Sequence, residues 1–265
     1  MFIVYSLAAL LYIAVGIHLS VSLTDRRTLK KIPSMAALTV AMLLHAVLLY
    51  PSIVTRYGLN FNIFNTISLT ALFFLVFFMG FSLYRPILSL GILATPTAFI
   101  GLSAGYFGRA AYEPVTGMSG LLQVHILLSF AAYCVLLMAC VQAVILKLQI
   151  RELKHKTIHR FWVSRLPALQ SMESLLFDMI LMGFVLLSLA LGLGLVATHD
   201  AVAQHVAHKL VFSSLSWLVF GWLIFGHYRY GWQGKRAANM TIYGFILLAV
   251  GFIGTKAVLE LILGR

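Results

Sequence analysis

The chain has 265 residues, of which 62% are apolar and 10% charged, and the apolar residues fall in repeated runs of about twenty. That pattern excludes a soluble globular enzyme and marks a polytopic membrane protein. The net charge of +12 would suggest nucleic acid in a soluble chain, but here the positive residues crowd short loops beside apolar runs. There they set topology and meet membrane lipids, so no nucleic-acid partner is expected.

Apolar runs closed by polar, Pro or Gly residues predict eight helices, near 2–23, 34–55, 64–83, 87–105, 120–148, 176–197, 206–228 and 239–262. The expected fold is all-α, a polytopic membrane helical bundle of about eight transmembrane helices, with 1–265 forming a single integral membrane domain. Met1–Leu23 lacks the basic start and small-residue cleavage site of a secretory signal, so it reads as a retained first span. Connections 1–2, 3–4, 5–6 and 7–8 hold fourteen Lys and Arg, against five on the other side (Arg56, Arg109, Lys209, Lys256 and Arg265). The positive-inside rule therefore puts both termini on the outer side of the membrane, which is the periplasmic side if the membrane is a bacterial inner one, together with the polar segment Thr198–Lys209.

Within the spans, the pairs Gly101/Gly105, Gly192/Gly194 and Gly251/Gly254 read as helix-packing positions, and Pro96 is the one internal break. Cys134 and Cys140 point about 240° apart around a helix, which argues against a disulfide. Segment 149–170, basic and carrying His155, His159, Trp162 and Pro167, reads as a cytoplasmic stretch lying on headgroups. Glu173 and Asp178 are expected to open helix 6, where the dipole favours acids. Lys256 and Glu260 read as an i,i+4 ion pair.

Ionisable side chains inside a bilayer are costly and so are candidate functional residues. There are nine histidines. His155 and His159 fall in an inner loop, while His18 and His227 sit near inner helix ends, where they can reach headgroups or water. His45 is mid-span and needs a partner, for which a hydrogen bond to a neighbouring helix is expected. His125 lies about five residues into helix 5 from its outer end, a depth of about 7.5 Å. His208 begins helix 7 from the same side, and His205 precedes it by three residues; His199 belongs to the same polar segment. Two imidazoles at matching depth on different helices suit axial ligation of a porphyrin iron. A zinc site would also use imidazoles, but only Asp200 is near to supply a carboxylate. No GxSxG, P-loop or HExxH motif is present.

Several separated motifs then stand in order: L-x-x-H125-I-L-L-S-F-A-A-Y133, L169-Q-S-M-E173-S-L-L-F-D178-x4-G183-F184, H208-K-x-x-F-S-x-L-S-W217 and Y230-G-W232-Q-G-K-R-A237. Upstream lies G58-L-N-F-x-x-F64-N65-x-x-S68-L69. Together they resemble the CcsA/ResC cytochrome c assembly family, most nearly its eight-span HemX/YpjD-like branch, with a family core of about 58–262. The resemblance implies haem as cofactor, handled at the outer membrane face, and other cytochrome assembly proteins as partners. Fully equipped members carry a tryptophan-rich segment before helix 7, flanked by outward-facing histidines that ligate iron. His125 falls where the first such histidine would stand. Thr198–Lys209 contains no tryptophan, and no histidine follows helix 8. The expectation is a protein that binds, transfers or regulates haem without being a complete synthetase. His125 and His208 are its cofactor-binding residues and its metal ligands through the haem iron. Two alternatives stay open: a non-haem accessory or regulatory membrane subunit, and a small-solute or cation transporter using His45, His125 and His208.

Overall fold

The computed structural model describes residues 1–24, 31–56, 58–85, 87, 91–109, 119–154, 166–197 and 207–251. Among them are eight helices: α1 (Phe2–Thr24), α2 (Lys31–Ile53), α3 (Ile63–Tyr84), α4 (Gly91–Phe107), α5 (Gly120–Lys154), α6 (Leu169–Ala197), α7 (Ala207–Tyr230) and α8 (Gly234–Ala249). Six of these, α1, α2, α3, α5, α6 and α7, are long and apolar enough to cross a membrane, and α4 is a shorter apolar helix. The protein is an all-α polytopic membrane bundle. In lipid the backbone must satisfy its own hydrogen bonds, so each apolar run becomes a helix. Leucines and valines on the outward faces, such as Leu10, Val40, Leu189 and Val211, are exposed as lipid-facing residues would be.

The chain divides into two compact units, Met1–Met118 and Ser119–Arg265. In the first, α1 packs on α2 and α4, and α3 packs on α4. The predicted GxxxG works as read. A Cβ at Gly101 would run into Ala71 of α3, and one at Gly105 would lie 2.5 Å from Ser68 Oγ. Helix α4 runs unbroken through Pro96, contrary to the expected break. Flanking threonines occupy nearby carbonyls: Thr95 Oγ1 donates to Gly91 O at 3.0 Å, and Thr97 Oγ1 to Ala94 O at 2.8 Å. These bonds supplement the ladder around the proline; the carbonyl that Pro96 leaves without its N–H is Ile92 O.

The connection between α2 and α3 contains a short antiparallel hairpin. Strand β1 (Val54–Thr55) pairs with β2 (Gly58–Leu59) in the register Val54 to Leu59 and Thr55 to Gly58. The asparagines of the upstream motif then tie it down. Asn62 caps α3 by accepting from Asn65 N at 2.8 Å. Buried Asn65 donates through Nδ2 to Ser52 O at 2.9 Å and Asn60 O at 3.0 Å. The motif therefore supplies the side-chain bonds that a tight turn between two spans requires.

In the second unit α5 packs along α6 and α8, and α7 packs on α6 and α8. Helix α5 continues to Lys154 and α6 begins at Leu169, so the expected interfacial stretch 149–170 is helical at both ends; residues 155–165 lie outside the described residues. Arg151 and Lys154 end α5 as its dipole favours. The earlier start of α6 leaves no acid in its first turn, which corrects the expectation for Glu173 and Asp178. Glu173 instead brings its carboxylate to the first residue of α8, where a Cβ on Gly234 would lie 3.5 Å from Oε1. The dipole argument holds, but for a different helix.

The turn from α7 to α8 carries the Y230-G-W-Q-G motif. Gly231 (φ 65°) and Gly234 (φ 60°) both take the left-handed conformation that glycine accepts without strain. His227 was expected to reach headgroups or water. Partly exposed near the end of α7, it donates from Nδ1 to Trp232 O at 2.9 Å and stacks on Phe177 of α6 at 3.5 Å between centroids.

Candidate functional site

His125 stands five residues into α5, with Ser129 and Tyr133 at i+4 and i+8 on the same face. All three line a cavity of about 150 Å³ bounded by α5, α6, α7 and α8, close to the last turn of α6 and the first turn of α7. The half-buried His125 ring is held from α6 in two ways. Its Nδ1 lies 2.8 Å from Ala190 O, and because a carbonyl can only accept, Nδ1 carries the hydrogen and donates. Gly194, one turn on, offers a flat surface to the ring: a Cβ there would stand 2.8 Å from Cε1. Gly192, read with Gly194 as a packing pair, has nothing within 4 Å of such an atom. Gly194 thus serves the histidine.

With Nδ1 donating, a neutral imidazole has its lone pair on Nε2, which has no hydrogen-bond partner among the described residues. Fixing one ring nitrogen on a carbonyl so that the other can ligate is how proteins orient metal-binding histidines. The donor therefore fits an iron ligand. The cavity is too small to enclose a porphyrin, since pockets that bury drug-sized molecules run to about 300 Å³ or more. What it can offer a macrocycle is an imidazole edge and room for a side arm.

His208 is the second residue of α7, adjacent to Lys209, which lines the cavity; the His208 side chain lies outside the described residues, as do His199, His205, Lys256 and Glu260. Among the described residues no group of three or more His, Cys, Asp or Glu is placed to hold a metal ion.

His45 belongs to the first unit and is almost fully buried. Tyr12 Oη of α1 is 3.2 Å from its Nδ1, and Ser68 Oγ of α3 is 2.9 Å from its Nε2. Both ring nitrogens are engaged, so His45 is a bridge between three helices. That is the hydrogen-bonded role expected from sequence.

Sequence reading missed Ser129, Tyr133, Lys209 and Ser213 as companions of His125. The first two were available from their helical spacing. Lys209 and Ser213 were not, because their facing depends on how α7 rotates against α5.

A family model described as "Cytochrome C assembly protein" matches residues 34–263. The chain belongs to the cytochrome c assembly protein family. Among curated relatives, it is 32% identical over 139 residues to "Inner membrane protein YpjD" of Escherichia coli (strain K12), covering 52% of each chain. It is 29% identical over 174 residues to a 28.8 kDa protein of Azospirillum brasilense, covering 62% of this chain and 63% of that one. "Cytochrome c biogenesis protein CcsA" of Parasynechococcus marenigrum is 28% identical over 94 residues, covering 35% of this chain and 31% of its own. The chain spans about half the length of the YpjD proteins it matches. No solved structure matches it. Within the cytochrome c assembly family, the YpjD and CcsA likenesses agree with the resemblance seen in the sequence motifs.

Proposed function

We propose that this protein binds haem at the outer face of a bacterial inner membrane, for transfer or regulation, with His125 and His208 as the residues that would hold it through the iron. The observation that carries the reading is the His125 ring, tied to Ala190 O through Nδ1 and left with its Nε2 lone pair in a cavity-lining position. Bound haem supplies an iron that accepts such a lone pair. The chain's own residues do the rest. Ala190 O sets the tautomer, and Gly194 lets the Cε1 edge of the ring come close to α6. Other cytochrome assembly proteins are the expected partners.

The test is spectroscopic. The full chain, purified in detergent and titrated with haem, gives a Soret band, and His125→Ala and His208→Ala each weaken or shift it. No band on titration, with no effect of either substitution, overturns the reading.

The absence of tryptophan from Thr198–Lys209 favours one second reading, an accessory membrane subunit that keeps the fold without haem. A stable protein partner retained in haem-free preparations selects it. The transporter alternative loses its support, since the break it drew on, Pro96, lies inside a continuous α4.

A further inference from the structure

The turn from α7 to α8 uses the glycines of the Y230-G-W-Q-G-K-R-A237 motif, but Trp232, Lys235 and Arg236 take no part in setting its backbone. The α7 span ends at Tyr230, so these three stand at the level of the lipid headgroups, where aromatic and cationic side chains gather.

Gly226 brings the indole of Trp232 against α7, since a Cβ there would run into the ring. The Arg236 guanidinium lies over that ring, 3.7 Å from its centroid. A cation–π contact of this kind fixes the guanidinium and leaves its N–H donors uncommitted. Arg236 is exposed, and it has no hydrogen bond or ion pair among the described residues. The same is true of Lys235 and of Arg229, which approaches the Tyr230 ring at 5.8 Å. No acid occurs in sequence between Asp200 and Glu260. Glu173 of α6 faces the turn from beside Gly234, so three cations stand against one carboxylate and the turn is positive.

The surface leading to Arg236 along the span is aromatic. Trp222 and Phe225, both exposed on α7, stack at 5.7 Å between centroids. Trp222 meets Trp232 edge-on at 6.0 Å, and Tyr230 stacks on Trp232 at 6.1 Å. An exposed apolar strip inside the span thus runs into cationic donors at its end. A phospholipid has its parts in that same order, acyl chain and then phosphate. A zwitterionic headgroup brings an ammonium of its own, which the three cations repel; an anionic one does not.

We infer that the α7–α8 turn binds an anionic phospholipid, whose phosphate accepts from Arg236 and Lys235 and whose acyl chain lies on Trp222 and Phe225. Trp232 is the positioning residue, because it holds the guanidinium at the headgroup level.

The test reconstitutes the full chain in phosphatidylcholine vesicles with a minor fraction of lipid carrying brominated acyl chains, which quench tryptophan fluorescence on contact. The brominated lipid is either phosphatidylglycerol or phosphatidylcholine. Wild-type chain binds the glycerol lipid about tenfold tighter, and Arg236→Gln lowers that ratio about fivefold, the scale of one cation at a membrane surface. Arg236→Gln combined with Lys235→Gln brings it close to one. Arg151→Gln, which removes an exposed cation at the end of α5, leaves it unchanged. Quenching by brominated phosphatidylcholine at the wild-type level shows that each variant is inserted and folded. Equal quenching by the two lipids in wild type overturns the inference. So does an equal fall in Arg151→Gln and Arg236→Gln, which marks diffuse attraction without a site. Loss of the preference in excess inorganic phosphate at constant ionic strength assigns the turn to a soluble anion and overturns the lipid.

Discussion

The ring of His125 and the backbone of Gly194 are in direct contact, so close that a methyl group on the glycine would lie 2.8 Å from Cε1. The contact joins α5 to α6 at the point where the imidazole also donates to Ala190. A Cβ at that distance forces something to move. The ring is the movable partner, since it is held by one hydrogen bond worth about 1 kcal/mol.

Gly194→Ala is therefore expected to swing the imidazole off α6 and weaken haem binding severalfold or more, with only a small change in thermal stability. Titration followed at the Soret band, beside a melting curve in the same detergent, checks this. Unaltered binding in Gly194→Ala counts against His125 as the ligand.

His45 leads to the opposite expectation. Removing it opens a cavity and strands the buried hydroxyl groups of Tyr12 and Ser68, so His45→Ala should destabilise the chain by about 2–4 kcal/mol. Tyr12→Phe, which removes one bond and leaves the packing, should cost about 1 kcal/mol. Neither change should abolish the Soret band, because both nitrogens of His45 are already engaged. Loss of the band in folded His45→Ala would refute the bridging role.

Gly105 lies against Ser68, the residue that holds His45 Nε2. A methyl group there meets Ser68 Oγ at 2.5 Å and Cβ at 2.7 Å. Gly105→Ala should cost about 1–3 kcal/mol through overpacking. Gly101→Ala, directed at Ala71, should cost at least as much, since no side chain there can rotate away. Thermal unfolding in detergent ranks them; two neutral substitutions would mean that α3 and α4 separate more easily than their packing indicates.

Asn65 holds the turn between α2 and α3 through Ser52 O and Asn60 O. Its replacement by Ala leaves two partly buried carbonyls short of a donor, at about 1–3 kcal/mol for the lost bonds. Faster limited proteolysis within 54–61, without a comparable change elsewhere, is the expected signature. Equal cleavage rates in wild type and variant would show that the hairpin holds the turn unaided.

The sequence by itself determined the spans, the class of fold and the family. An apolar run of about twenty residues in lipid has no choice but to satisfy its backbone as a helix, so α1, α2 and α7 stand within a few residues of their expected places. It also determined that His125 belongs near a helix end, because depth along a helix follows from counting residues. Contacts across helices were decided only by the tertiary structure. That His45 meets Tyr12 and Ser68, that Glu173 serves α8 and not α6, and that Lys209 and Ser213 join His125 all depend on the rotation and offset of neighbouring helices. Lipid-facing and helix-facing positions here are equally apolar, so the hydrophobic pattern does not record which face turns inward. Side-chain packing and a few hydrogen bonds make that choice, and they arise only when residues distant in sequence meet.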